Sequence, residues 1–491
     1  MGNDRIHAFG DDLLADHDAV ALADLVRRGE VSPLELTEAA IARVEKVNGA
    51  LNAMQLARYE RALAEAATKR KGLFAGVPTL MKDNTDLRGL PTGHGSRAVP
   101  GVPAAADGAF ARQYLSQGFT VLGKTTMPEF GFNCTTEYQG KPPTRNPWHP
   151  GYSCGGSSGG AAALVAAGVV PIAQANDGGG SIRIPAACCG LVGLKPTRGR
   201  LVDGEVARTL PVKIIVEGVV TRTVRDTAHF FAGVEDYWRN PKLPPVGLVE
   251  GPAKRRLKIG LVMHSITGIP TCPETCAVVQ RTAALLESLG HRVEEMPNPV
   301  APSFAEDFAD YWGFLALMVI RFGHYSFGKD FDPSQVDDLT RGLAARFRHR
   351  SWHLPRVLYR LQGTSRQHAK AMKDYDLVLS PVLGHVTPVL GYLSPEVPFP
   401  ELFQRLTTYV SFTPINNANG SPAMALPMGA ATNDLPIGVQ FSAAHGDERT
   451  LLEIAYELEQ ATPWRRIADG QGEPRLGPSP SYVSDTSVQQ R

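Results

Sequence analysis

Apolar residues along the chain follow two alternating periods. Leu13, Leu14, Ala21, Leu22 and Leu25 recur at helical spacing across 11–28. Ser32-Pro33 then reads as an N-cap with proline at the first helical position, opening a helix to about Val47. Helical spacing returns over 58–71 and 107–117, while the short apolar runs 79–81 and 120–122 read as strands. Ala161–Gly168 predicts a helix, and Val169–Ala175 a buried strand. A strand at 257–262 leads into a helix ending near Leu289, and 301–375 reads as mainly helical and rich in aromatics and arginine. Strands at 377–380 and 436–441 and a helix at 449–459 complete the pattern. Such alternation argues an α/β layered fold. No long linker or short repeat interrupts it, so 1–470 is expected to form one domain. The tail 471–491 carries Pro, Gly, Ser and Gln without apolar periodicity and is expected to be disordered.

Composition narrows the partners. Of 491 residues, 43% are hydrophobic and 20% charged, as in an ordinary globular protein with a large core. A formal net charge of +1 gives no electrostatic reason to bind nucleic acid or a membrane surface. Six cysteines, two of them adjacent at Cys188-Cys189, suit a reduced, cytoplasmic setting better than a disulfide framework. Met1–Arg5 lacks a basic region followed by an apolar stretch, so no signal peptide is expected. The apolar run Phe314–Ile320 is too short to span a bilayer.

Several familiar spacings fail in context. Gly118–Thr125 has P-loop spacing, but its centre is apolar and β-prone, and Pro128 breaks the helix that a P-loop requires after Lys124-Thr125. Gly118 reads instead as a helix C-cap before a strand. Gly151-Tyr152-Ser153-Cys154-Gly155 matches a nucleophile elbow, yet the proline-rich 142–150 is no strand to carry it. His349 and His353 sit at i, i+4 without a third ligand, and Cys272 and Cys276 lack a second pair, so no metal or other cofactor is expected. Lys254-Arg255-Arg256 reads as a solvated loop.

One set offers a mechanism. Gly155-Gly156-Ser157-Ser158-Gly159-Gly160 and Asp177-Gly178-Gly179-Gly180-Ser181-Ile182-Arg183 are two serine-bearing glycine loops, and Lys82 follows the apolar run Val77–Met81. Amide hydrolysis needs a nucleophile, a base, donors for the oxyanion and an acid for the departing amine. A lysine serves as base only when neutral, and burial favours the neutral form. Glycines at 178–180 leave their N–H groups open to one oxygen.

At these residues the chain resembles the amidase signature family. The likeness runs through both loops, Ile184–Ala187 and Gly190–Arg200. It extends to Phe74–Pro78, Thr144–Trp148, Gly420–Pro427 and Pro436–Gln440, and covers most of 10–466, with 300–400 divergent. The resemblance implies a large mixed central β-sheet between layers of helices. It also implies a Ser–cisSer–Lys triad: Ser181 as nucleophile, Ser157 after a cis Gly156–Ser157 peptide as proton relay, and Lys82 as base. Gly178, Gly179, Gly180 and Ser181 would form the oxyanion hole, with Ser158, Asp177 and Arg183 in support. Gly178 departs from the larger residue common in the family, but only its backbone N–H is needed.

Within the family the chain is similar to bacterial enzymes acting on 6-aminohexanoate cyclic dimer, through Thr135–Glu137, Thr144–Trp148 and Val262–His264. The expected substrate is a small-molecule amide with an apolar or aromatic acyl group; cyclic amides, anilides, esters and carbamates are candidates. Met127–Cys134 and Phe304–Tyr325 are candidate pocket walls. Members of the family often pair, which admits a homodimer. Two other readings share the motifs, the amidase-like subunit of a tRNA-dependent amidotransferase and a non-catalytic paralogue. Near-zero net charge and the complete triad speak against them.

Overall fold

The computed structural model describes residues 5–469, so the tail at 471–491 lies outside the described residues. Its strands, in chain order, are β1 (Met54–Ala57), β2 (Pro78–Lys82), β3 (Thr120–Thr125), β4 (Arg145–Asn146), β5 (His149–Ser153), β6 (Ile172–Asp177), β7 (Val192–Lys195), β8 (Val216–Thr221), β9 (Lys258–Leu261), β10 (Arg292–Glu295), β11 (Leu377–Pro381), β12 (Ala423–Ala430) and β13 (Pro436–Ala443). Eight of them form one mixed sheet in the order β10-β9-β11-β13-β12-β7-β8-β6. β9 pairs parallel with β10 and β11, and the remaining neighbours run antiparallel. β6 to β8, β11 and β13 are buried at every position, as strands covered on both faces must be. Helices and one large mixed sheet make an α/β architecture, as the alternation in the sequence predicts.

A second, three-stranded sheet, β1-β3-β2, carries Lys82 at the end of β2. β2 runs parallel to β3. The Gln174 side chain reaches across from β6 and accepts from the Lys82 backbone N–H at 2.8 Å. That bond joins the small sheet to the edge of the large one.

Helices begin where their caps dictate. Ser32 and Glu35 form a reciprocal capping box at Pro33–Leu51. The first helix starts only at Ala19, where the Asp18 side chain accepts from Ala21 N–H; residues 11–17 are turns rather than helix. The region 301–375 resolves into helices Phe304–Phe327, Asp338–Arg348 and Leu354–Ala371. The strand expected at 169–175 begins at Ile172, after Pro171. Seven strands were not read from the sequence, β1, β4, β5, β7, β8, β10 and β12, and the first two residues of β5 and all of β4 fall in 142–150, which was read as no strand. β7 and β8 each contain a glycine, and β12 contains Pro427, which sits at a break in register between Leu426 and Gly429. Gly118–Thr125 is a left-handed glycine, at φ 87°, leading into β3. No helix among the described residues is long and apolar enough to cross a membrane.

Candidate active site

Helix Gly159–Ala166 is packed so closely that a Cβ on Gly160 would lie 2.6 Å from the Thr126 backbone nitrogen and 2.7 Å from the Ala53 carbonyl oxygen. Its glycine start lets the chain turn at Ser157 and Ser158 directly above β2. The Gly156–Ser157 peptide is cis. Gly180 has φ +133°, and a Cβ there would collide with Thr413 Oγ1 at 2.4 Å, so the second loop also requires glycine. Ser181 follows it, just before the helix Arg183–Cys189.

Lys82 is fully buried, and its Nζ meets three oxygens: Ser157 Oγ at 2.7 Å, Ser158 Oγ at 3.0 Å and Asn176 Oδ1 at 2.7 Å. Burial lowers its pKa from 10.5 to about 7, against the opposing pull of Glu217 and Asp177. A neutral amine has two hydrogens and one lone pair. The Asn176 carbonyl oxygen can only accept, which uses one hydrogen. The Ser158 hydroxyl hydrogen faces the Asn176 backbone carbonyl at 3.3 Å, so its oxygen accepts the other. The lone pair remains for the hydroxyl hydrogen of Ser157.

Asp177 anchors the second loop. Its carboxylate accepts from Gly180 N–H at 2.7 Å and Ile182 N–H at 3.1 Å, and forms a buried two-point pair with Arg183, both contacts at 2.9 Å. Burial alone would raise the Asp177 pKa, but the adjacent guanidinium holds it well below the usual carboxylate range. Arg183 also donates to Asn417, Gln440 and the Thr413 carbonyl, and Thr413 Oγ1 donates to Gly179 O at 2.6 Å. The expected set of four oxyanion donors needs correcting here, because the Gly180 N–H is already committed to Asp177. Gly178, Gly179 and Ser181 are left with N–H groups that no described side chain takes up.

Ser181, Gly178 and Gly179 line a cavity of about 940 Å³, counted to its open mouth. Both predicted walls contribute, with Phe130, Phe132 and Cys134 from one and Phe308 and Trp312 from the other. Ile215 and Val410 complete the apolar lining without having been singled out in the sequence, and no lining side chain is charged. The Cys134 thiol is held far above its ordinary pKa by burial, so it stays protonated. Lys82 and Ser157 lie behind this surface, and among the described residues no hydrogen bond joins Ser157 to Ser181. The six cysteines are free, and no cluster of three metal-ligating side chains occurs among the described residues.

A mixed sheet between helices, with a buried lysine against serine hydroxyls beside an apolar cavity, belongs to the class of amide-bond hydrolases. The chain is a member of the amidase signature family. The Amidase family model matches residues 35–452. The chain is 49% identical to "Putative amidase AmiC" of Mycobacterium tuberculosis, over 94% of this chain and 98% of that one. It is 35% identical to the 6-aminohexanoate-cyclic-dimer hydrolase of Paenarthrobacter ureafaciens, over 91% and 95%. The structure of a 6-aminohexanoate cyclic dimer hydrolase complexed with substrate superposes with a TM-score of 0.84 at 33% identity, covering 92% of this chain and 98% of that one. A bacterial aryl acylamidase of the same family superposes at 0.79 and 25% identity, covering 92% and 97%.

Gln174 was missed because it sits inside the run read as apolar strand, Asn176 because it lies just past that run, and Glu217 because β8 was not read at all. Their signal was present as polar residues at every second position, Gln174 and Asn176, in an otherwise buried strand. Replacing Arg183 with Met would strand the Asp177 carboxylate in a dry interior. Arg183→Met is expected to lose about 3–5 kcal/mol of stability, read by chemical denaturation.

Proposed function

We propose that the chain is a serine amidase acting through an acyl-enzyme, with Ser181 as nucleophile, Ser157 as relay and Lys82 as base. The observation that carries this reading is the buried Lys82 Nζ, its pKa lowered to about 7, standing 2.7 Å from Ser157 Oγ. Ser181 Oγ attacks the carbonyl carbon and gives its proton to Ser157, whose own proton passes to Lys82 Nζ. The developing oxyanion is met by the N–H groups of Gly178, Gly179 and Ser181. Collapse breaks the C–N bond, and the amine leaves with a proton returned from Lys82 through Ser157. Water then enters by the same route in reverse and frees the acid. The relay needs Ser157 and Ser181 within hydrogen-bond reach, a contact that tightens when substrate fills the cavity.

The lining supports a neutral substrate whose acyl group is apolar or aromatic. Phe130, Phe132, Phe308 and Trp312 offer stacking surfaces, and an uncharged lining gives a charged acyl group no compensation for lost water. Small cyclic amides and anilides meet that description, and the two structural relatives are a 6-aminohexanoate cyclic dimer hydrolase and an aryl acylamidase.

Ser181→Ala is expected to abolish amide turnover and labelling by a fluorophosphonate probe while leaving the unfolding temperature unchanged. Retained turnover would overturn the assignment. Protonated Lys82 cannot accept a proton, so kcat/KM should rise with pH through about 7 and level off above it; a profile flat from about pH 5 to about pH 9 would remove lysine as the base. Across a turnover panel, anilides and cyclic amides should exceed amides of charged acids. Trp312→Ala should raise KM for the anilides more than it lowers kcat.

A further inference from the structure

Near Lys82 lies a buried carboxylate that the mechanism does not use. Glu217 on β8 stands directly across from Asn176 in the β6–β8 register. It is buried, and space for it depends on Gly204, where a Cβ would come within 2.7 Å of Glu217 Oε1. Gln174 donates through Nε2 to Glu217 Oε2 at 3.0 Å, and the Asn176 side chain, facing Glu217 across the β6–β8 register, favours the ionised form of the same carboxylate. In its ionised form Glu217 can only accept, and both carboxamides then turn their NH2 groups toward it. Their carbonyl oxygens then face Lys82. Gln174 Oε1 takes the Lys82 backbone N–H at 2.8 Å, and Asn176 Oδ1 takes a hydrogen of Nζ at 2.7 Å.

We propose that Glu217 is a positioning residue for the lysine base: by orienting Gln174 and Asn176 it fixes which hydrogens of Lys82 are spent, and its charge sets the pH at which the lysine becomes a base. The inference rests on Lys82 acting as the base. If Asn176 were turned the other way, its NH2 would face Nζ and compete for the lone pair that Ser157 needs. Glu217 prevents that inversion while staying out of contact with substrate.

The other charged groups around the pair are already engaged. On β2 and β3, Asp83 pairs with Lys124 at 3.6 Å. On β6, Asp177 is held by Arg183. Glu205, before β8, accepts from Ala109 N–H at 2.8 Å. His94 is kept neutral by burial and by Lys124 and Lys82. Glu217 is thus the carboxylate free to respond to the lysine, and burial raises its own pKa to about 7, against the pull of Lys82.

Removing a negative charge determines the sign. Without Glu217 the ammonium form of Lys82 loses its nearest compensation, so its pKa falls further. In Glu217→Gln the acid limb of kcat/KM should move about one unit to lower pH, as expected for loss of a nearby opposite charge. Glu217→Asp keeps the charge and should leave the limb where the parent has it. A Glu217→Gln limb coincident with the parent's, or an equal shift in Glu217→Asp, would overturn the proposal. A parent profile with no limb near pH 7 would instead overturn the lysine base itself. Should Glu217→Gln fail to fold, Asn176→Leu severs the link from the other side. It should lower kcat by at least about tenfold at unchanged KM, part of the roughly 10²–10⁴ that a positioned general base supplies; unchanged kcat would overturn the proposal.

Discussion

The structure is organised around enclosing one amine away from water and so lowering its pKa. A lysine in water is an ammonium and cannot accept a proton. Enclosing Lys82 at zero exposure brings its pKa to about 7, and the fold bears the cost. The folded-state pKa lies below the unfolded one. The penalty is therefore absent above pH 10.5, grows as pH falls, and is full below about 7. The surroundings limit it by giving Nζ three oxygens and no second cation within contact. Both sheets are needed for this, since β2 supplies the lysine while β6 supplies Asn176 and, through Gln174, the bond that fixes the β2 backbone.

The buried charges nearby solve the same problem in another way. Asp177 and Arg183 are both fully enclosed and both stay charged, because each of their polar edges finds a partner. The pair consumes the Gly180 N–H in doing so. The loop thus divides its donors: Gly180 and Ile182 hold the Asp177 anchor, and Gly178, Gly179 and Ser181 face the cavity.

Much of this was legible in the sequence. Glycine loops around Ser157 and Ser181 are visible because only glycine tolerates the close approaches seen at Gly160 and the positive φ at Gly180. Lys82 at the end of an apolar run announced a buried amine. The helix starting at Pro33 was readable from its cap, which is local chemistry. What escaped was non-local. β8 and β12 were hidden by Gly218 and Pro427, whose places are explained only by a neighbour's close approach or a break in register. The roles of Gln174 and Glu217 depend on which strand lies beside which, and the Gly180 N–H could be seen as occupied only once Asp177 was placed.

Lys82 and Ser157 are absent from the cavity wall, which comes instead from helix Phe304–Phe327, the Phe130–Cys134 segment, Ile215 and Val410. On the proposed reading, substrate contact and proton handling thereby fall to different parts of the chain. Wall residues can change in size or polarity without disturbing the hydrogen bonds that keep the amine neutral. Such a division lets a lineage explore new acyl groups by drift along one helix and a few loops while its acid–base chemistry is inherited intact.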